Sequence, residues 1–232
     1  MFFKTCFLTK QNRIYMILVI SILLTSGCSY TENIKPEYVL NKNTREGIIL
    51  ASMTTSNQHP SKAFSWNIYI DDLSEKSVAH LSSLASYIYE PWSTKGTKDV
   101  RGRYYIFALP EGKYKIDSWM ASGQQMGHVE LYPKEKPKKI EFTVNAGEIT
   151  YLGRFHMEFL VGDNIFGIPI VYGGYPEISN WFHNDYQYFI HNYPRFRDMP
   201  YHIDIPVSGL WSSQSKKSIE PLPPTNFPSR DR

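Results

Sequence analysis

Few side chains in this chain are of types that carry chemistry, and their spacing is loose. His183 and His191 sit at either end of a helical stretch with Asp185 between them, and His202 and Asp204 share one side of a short strand pattern. A zinc site needs three or four such groups converging. Two histidines eight apart are separated by more than two helical turns, and no His-Glu-x-x-His pattern brings a pair onto one helix face. Asp71-Asp72 supplies neighbouring carboxylates, but at a strand end such pairs serve as turn residues. No Gly-x-Ser-x-Gly elbow and no phosphate-cradling glycine loop occurs. The remaining candidates are aromatic. Trp92, Trp119, Trp181, Trp211 and the Tyr172–Tyr175 segment have the ring area of a flat platform for a sugar or a protein partner. The competing expectation is that these rings fill a core. We therefore expect no enzyme, no cofactor and no metal. Two alternatives stay open: a carbohydrate-binding surface module on the Trp rings, and a metal-dependent hydrolase on the C-terminal His and Asp residues.

The one residue with a specific chemical expectation is Cys28. Lys4, Lys10 and Arg13 precede a run from Ile14 to Gly27 without charge, and that run ends in Leu23-Leu24-Thr25-Ser26-Gly27-Cys28. The run is short for a membrane-crossing helix, which takes about 20 apolar residues, and suits a signal-peptide core. It resembles a bacterial lipoprotein signal peptide, with Gly27 and Ser26 in the small-residue positions and Thr25 where leucine is commonest. The resemblance implies removal of residues 1–27 and a palmitate-bearing, lipid-modified Cys28. Ser29 is not the aspartate that holds members of that group at the inner membrane, so the implied address is the outer membrane of the cell envelope. The anchor makes the membrane a partner, with an envelope protein or a glycan as the further partner expected.

Cysteine and charge counts agree with that expectation. The chain has two cysteines, and Cys6 lies in the segment to be removed, so the mature domain holds no internal disulfide. The formal charge of +3 disappears with the same segment: without Lys4, Lys10 and Arg13, 22 of the 25 basic residues remain against 22 acidic ones. A neutral exported chain has no electrostatic footprint for nucleic acid.

About 200 residues remain, enough for one domain with tails. Aromatic residues make up 15% of the chain, with 17 Tyr, and 15 Pro and 14 Gly imply many turns. This composition favours strands. Residues 28–45 read as a lipidated N-terminus and flexible tether, 46–207 as the domain, and 208–232 as a disordered tail rich in Ser, Pro and Lys. Strands are expected at Gly47–Met53 and at Phe64–Ile70, where Phe64, Trp66, Ile68 and Ile70 share a face. Ser74–Tyr89 fits helix or strand. Tyr104–Leu109 and Lys113–Trp119 flank Pro110-Glu111-Gly112, which reads as a tight hairpin turn with Tyr114 and Ile116 inward and Lys115 outward. Ile140–Val144, Ile149–Phe159 and Ile165–Val171 follow, the last two joined by a hairpin turn at Val161–Asn164. Pro169 marks an edge strand. Residues 179–193 read as an amphipathic helix ending at Tyr193-Pro194.

The corner Leu109-Pro110-Glu111-Gly112-Lys113-Tyr114 and the run Phe142-Thr143-Val144-Asn145-Ala146-Gly147-Glu148-Ile149-Thr150-Tyr151 together resemble a broad group of bacterial lipoproteins. That group carries a small β-sandwich of the prealbumin-like or carboxypeptidase-regulatory type. The resemblance covers about Gly47 to Val171 and implies a single β-sandwich of about seven antiparallel strands with a short helix packed at its edge. Its motifs specify turns rather than chemistry. The resemblance carries over fold and location alone, and from the lack of chemical motifs we expect a non-catalytic accessory or interaction module.

Overall fold

The computed structural model describes residues 31–40, 45–56, 60–83, 100–205 and 208–212. Residues 1–27, expected to be a signal segment, lie outside the described residues, as do Cys28, Trp92 and most of the expected C-terminal tail.

The chain is mainly β. Its first sheet is built from β1 (Glu46–Ser56), β4 (Val100–Pro110), β9 (Ile149–Asp163), β10 (Pro169–Ser179), β11 (Tyr201–Ile203) and β12 (Gly209–Leu210). The order across it is β12-β10-β9-β1-β4, with β11 also beside β9. The second sheet contains β2 (Phe64–Asp72), β3 (Ser77–Ser82), β5 (Gly112–Ile116), β6 (Trp119–Gln124), β7 (His128–Leu131) and β8 (Ile140–Val144). Its order is β7-β6-β2-β5-β8, with β3 beside β2. The two-sheet sandwich is the architecture expected, with more strands than foreseen. Two pairs, β1 with β9 and β11 with β9, run parallel rather than antiparallel.

The core lies between the sheets, where Trp66, Ile68, Tyr105, Phe107, Ile116, Phe142, Phe155 and Met157 are buried. Strand β1 carries a run of consecutive apolar residues, Ile48 to Ala51, all fully buried. Such a run belongs to a strand covered on both faces. Its second cover is α1 (Phe182–Asn192). On the side away from the second sheet, Ser52 of β1 bonds to Asp185 of the helix, and Tyr104 of β4 stacks on Tyr188 at 3.9 Å. The helix therefore lies across the outer face of the first sheet, not at the sandwich edge. The reason is its own stripe: Asp185 and Phe189 point inward, and a sheet face buries them where an edge cannot. The Phe182 N–H donates to Asn180 Oδ1 at 3.0 Å where the helix begins, and Pro194 follows it, as the sequence indicates.

The Pro110-Glu111-Gly112 corner is not a hairpin. β4 pairs along its whole length with β1, whereas β5 pairs with β8 and β2 in the other sheet. The chain thus crosses the end of the sandwich here, and the Tyr114 hydroxyl donates to Pro110 O at 2.7 Å to hold the bend. Asn145-Ala146-Gly147-Glu148 crosses back in the same way, with Gly147 at φ +75°, a left-handed conformation that suits glycine. Lys115, expected outward, is buried, and its Nζ lies 3.2 Å from Glu75 Oε1. In the ambiguous Ser74–Tyr89 stretch, Ser77–Ser82 is strand, and 84–89 lie outside the described residues. β10 begins at Pro169 and runs on to Ser179, well past the expected Val171, while Ile165 to Ile168 form the turn.

Residues 31–40 are docked on the body, contrary to a free tether over 28–45. Asn33 bonds the free edge of β4 twice: Nδ2 donates to Tyr104 O at 3.1 Å and Oδ1 accepts from Ile106 N at 2.9 Å. Ile34 N donates to Ile106 O at 2.7 Å and Ile34 O accepts from the Tyr193 hydroxyl at 2.8 Å. Arg195 Nη1 donates to the carbonyls of Glu37 and Tyr38. Exposed strand edges invite foreign strands, and this strap closes one. The expected tail also starts out docked. β12 pairs with β10, and Trp211 is buried with its Nε1 donating to Lys138 O at 2.7 Å.

Candidate functional site

Of the rings weighed for a surface platform, Tyr172 and Tyr175 are exposed, while the competing expectation of core filling holds for two tryptophans. Trp119 and Trp211 are core residues, a correction that follows from the large apolar area a sandwich without a disulfide must bury. Trp181 is half-buried, with the Arg154 guanidinium 3.8 Å over its ring. Trp92 lies outside the described residues, as does Cys28.

The histidine and carboxylate candidates are also apart. His202 Nδ1 pairs with Glu148 at 3.2 Å, and the Asp204 N–H donates to Tyr151 O. His183 is exposed. Among the described residues, no three His, Cys, Asp or Glu side chains gather as a metal-ligand set. Asp72 is a turn residue. Its Oδ1 accepts from Ser74 N, Ser74 Oγ and Lys76 N, and these bonds hold its carboxyl below the usual range.

Asp185 is the buried charge that sequence reasoning missed. It is fully buried and gathers three partners. Ser52 Oγ donates to Oδ2 at 2.7 Å, the Tyr151 hydroxyl donates to Oδ2 at 2.9 Å, and Arg154 Nη2 donates to Oδ1 at 3.0 Å. Burial pushes its carboxyl up, while Arg154 and the hydroxyl donors oppose that push. Burial, with the Asp185 charge and hydrogen bond, holds the Tyr151 phenol well above its ordinary value, so it remains a donor. The cluster contains a serine and a carboxylate but no histidine to relay a proton, and its carboxyl is sealed from solvent. It is a clasp between helix and sheet. Its sequence signal was the polar pair Ser52 and Arg154 on strands otherwise committed to the core.

A surface feature of another kind stands where two hairpins meet. The β9–β10 turn at Asn164–Ile168 is tied by one residue. Asn164 Oδ1 accepts from Phe166 N and Ile168 N, Asn164 N donates to Ile168 O, and Gly167 N donates to Asn164 O. Gly167 takes φ +70° to close it. With Asn164 filling the inside of the loop, the apolar side chains point out: Ile165 is 93% exposed, Phe166 73% and Ile168 45%. The β6–β7 turn comes alongside. Gln125 brackets Val171, donating to its carbonyl at 2.9 Å and accepting from its N–H at 2.6 Å. This places Met126, 74% exposed, 3.5 Å from Asn164 Nδ2. Tyr172 and Tyr175 continue the exposed surface down the ribbon. Single exposed apolar residues are ordinary, whereas several grouped at one end of the molecule are less so.

No family model matches the chain, and no curated protein matches it. Among solved structures, a leucine-rich repeat protein from Bacteroides thetaiotaomicron is similar at a TM-score of 0.27 and 11% identity over 48% of this chain, which spans 14% of that protein. That likeness is too slight to bear on fold or function. Among the described residues no helix is long and apolar enough to cross a membrane.

Proposed function

We propose that this chain is an envelope lipoprotein, anchored through Cys28 at the outer membrane, whose sandwich is a non-catalytic interaction module. The anchor reading rests on the basic start, the uncharged run and the Ser26-Gly27-Cys28 ending. The interaction reading rests on one observation: Ile165, Phe166 and Ile168 are exposed on a turn that Asn164 closes with four hydrogen bonds. A pre-ordered apolar group loses little entropy on binding, which is the character of an interface anchor. The partner that fits is a protein with an apolar groove.

A photo-crosslinking residue in place of Phe166, used in living cells, tests this. One defined adduct is expected at that position, and none from the same residue at Lys139, beside β8 at the opposite edge of the second sheet from β7. The adduct disappears when Ile165→Ser and Ile168→Ser are added. Adducts indistinguishable between the two positions contradict the reading.

A further inference from the structure

The docking of residues 31–40 shortens the link between Cys28 and the body. Thr31 is already bound to β3: its N–H donates to His80 O at 3.0 Å, and its Oγ1 accepts from His80 N at 2.8 Å. Three residue steps separate Cys28 from Thr31, which even fully extended span at most about 11 Å. Acyl chains on Cys28 would therefore hold a bilayer within about 11 Å of Thr31, where the chain meets β3.

The surface beside that contact is apolar in places where a sheet ordinarily shows polar residues. Leu73, at the tip of the β2–β3 hairpin, is 65% exposed, and Tyr69 and Val78 are 39% and 38% exposed. Val78 is two residues from His80, about 7 Å along the strand. Tyr69 pairs with His80 across the hairpin, and their rings stack at 4.5 Å. Leucine and valine with a tyrosine alongside suit the bilayer interface, where amphipathic rings sit at headgroup level. The charges on the hairpin are Asp71, Asp72, Glu75 and Lys76, with Lys115 paired to Glu75. That excess of acid gives no attraction to anionic lipid, so the surface it fits is a neutral one.

We propose that the β2–β3 hairpin rests on a zwitterionic lipid surface, with Leu73 in the interface, so that the domain lies against the membrane instead of standing off on a stalk. The inference builds on the Cys28 anchor proposed above. It has an orientational consequence. Phe64, at the start of β2, pairs with Gly123 near the β6–β7 turn, while Leu73 follows the other end of β2. The nine residues of β2 put about 30 Å between those ends. The apolar tip at Met126 and Ile165–Ile168 is thereby held at the end away from the lipid.

The test uses the full chain purified with its lipid and reconstituted into phosphatidylcholine vesicles whose acyl chains are brominated. With Cys28 acylated and Cys6 removed, Leu73→Cys and Phe166→Cys each give a single reactive thiol for an environment-sensitive fluorophore. At least twofold quenching is expected at position 73 and none at 166. Protein that sediments with the vesicles yet shows no quenching at 73, or shows it at 166, overturns the docking while leaving the anchor intact. Protein that stays in solution and carries no acyl mass on Cys28 overturns the anchor, and the docking with it.

Discussion

Asp185 shows how a single side chain can be legible in type and not in role. Near the start of a helix an aspartate reads as a partner of the helix dipole. Here the helix lies across a sheet, and the same carboxylate faces inward, where only Ser52, Tyr151 and Arg154 keep it satisfied. Removing one member of a buried pair strands the other charge. Asp185→Ala is expected to lower stability by about 3–5 kcal/mol in denaturant unfolding. Replacing Asp185 and Arg154 together with leucine is expected to cost less than Asp185→Ala alone, and an equal or larger loss would deny the pair its role. Two histidines set a pH dependence. Burial lowers His80 and His156 below the ordinary 6.5. The folded form thus resists protonation while the unfolded rings take up protons near that value, so acid favours unfolding. Stability from these groups is present above about 6.5 and is lost as pH falls below it. Unfolding free energies at pH 7.5 and 5.5 check this: the drop in the wild type is expected to shrink in the His80→Asn, His156→Asn double variant. Trp119 and Trp211 fill the core, as the competing expectation for these rings had it. Ring type predicts area, and only the pairing of strands decides which ring lands between the sheets.

At the scale of elements, the strands were legible because alternation is a local property. Phe64, Trp66, Ile68 and Ile70 bury one face of β2 as their spacing indicates. The partners were not legible. Pro110-Glu111-Gly112 has the residues of a tight hairpin turn, yet the same bend serves a crossing between sheets when β5 finds β8 in place of β4. Turn chemistry sets the local bend, and long-range pairing sets its destination. The strap was hidden likewise, since a polar stretch with few large apolar residues reads as linker. Its attachment is carried by Asn33 replacing a strand's donor and acceptor along β4. Asn33→Ala leaves Ile106 N and Tyr104 O without those partners and is expected to cost about 1–3 kcal/mol. Faster amide exchange at Ile106 and across residues 31–40 is the accompanying signature, and unchanged exchange there would show that the strap is held by other contacts.

The whole molecule has two unlike ends. One carries the β2–β3 hairpin near the emergence of the chain toward Cys28, and the other carries the rigid apolar turn. Because the side chains of Ile165 and Ile168 project from the body, Ile165→Ser with Ile168→Ser is expected to change stability by no more than about 0.5 kcal/mol while abolishing partner crosslinking from position 166. A large loss of stability would show that these residues belong to the fold and not to a contact. The tip itself could not be read ahead of the structure. The sequence places the turn at Val161–Asn164, three residues early, since β9 runs to Asp163, and that Asn164 would fill the loop and turn its neighbours outward depends on backbone closure around Gly167. The proposed anchor is the reverse case, resting on sequence alone in residues outside the described ones. Intact-mass measurement of the mature protein recovered from membranes tests it most directly. The account predicts a chain beginning at Cys28 whose mass exceeds that of the bare polypeptide by its acyl groups, and lost from membranes in Cys28→Ser. A chain with a different first residue, or one with an unmodified Cys28 thiol, contradicts it.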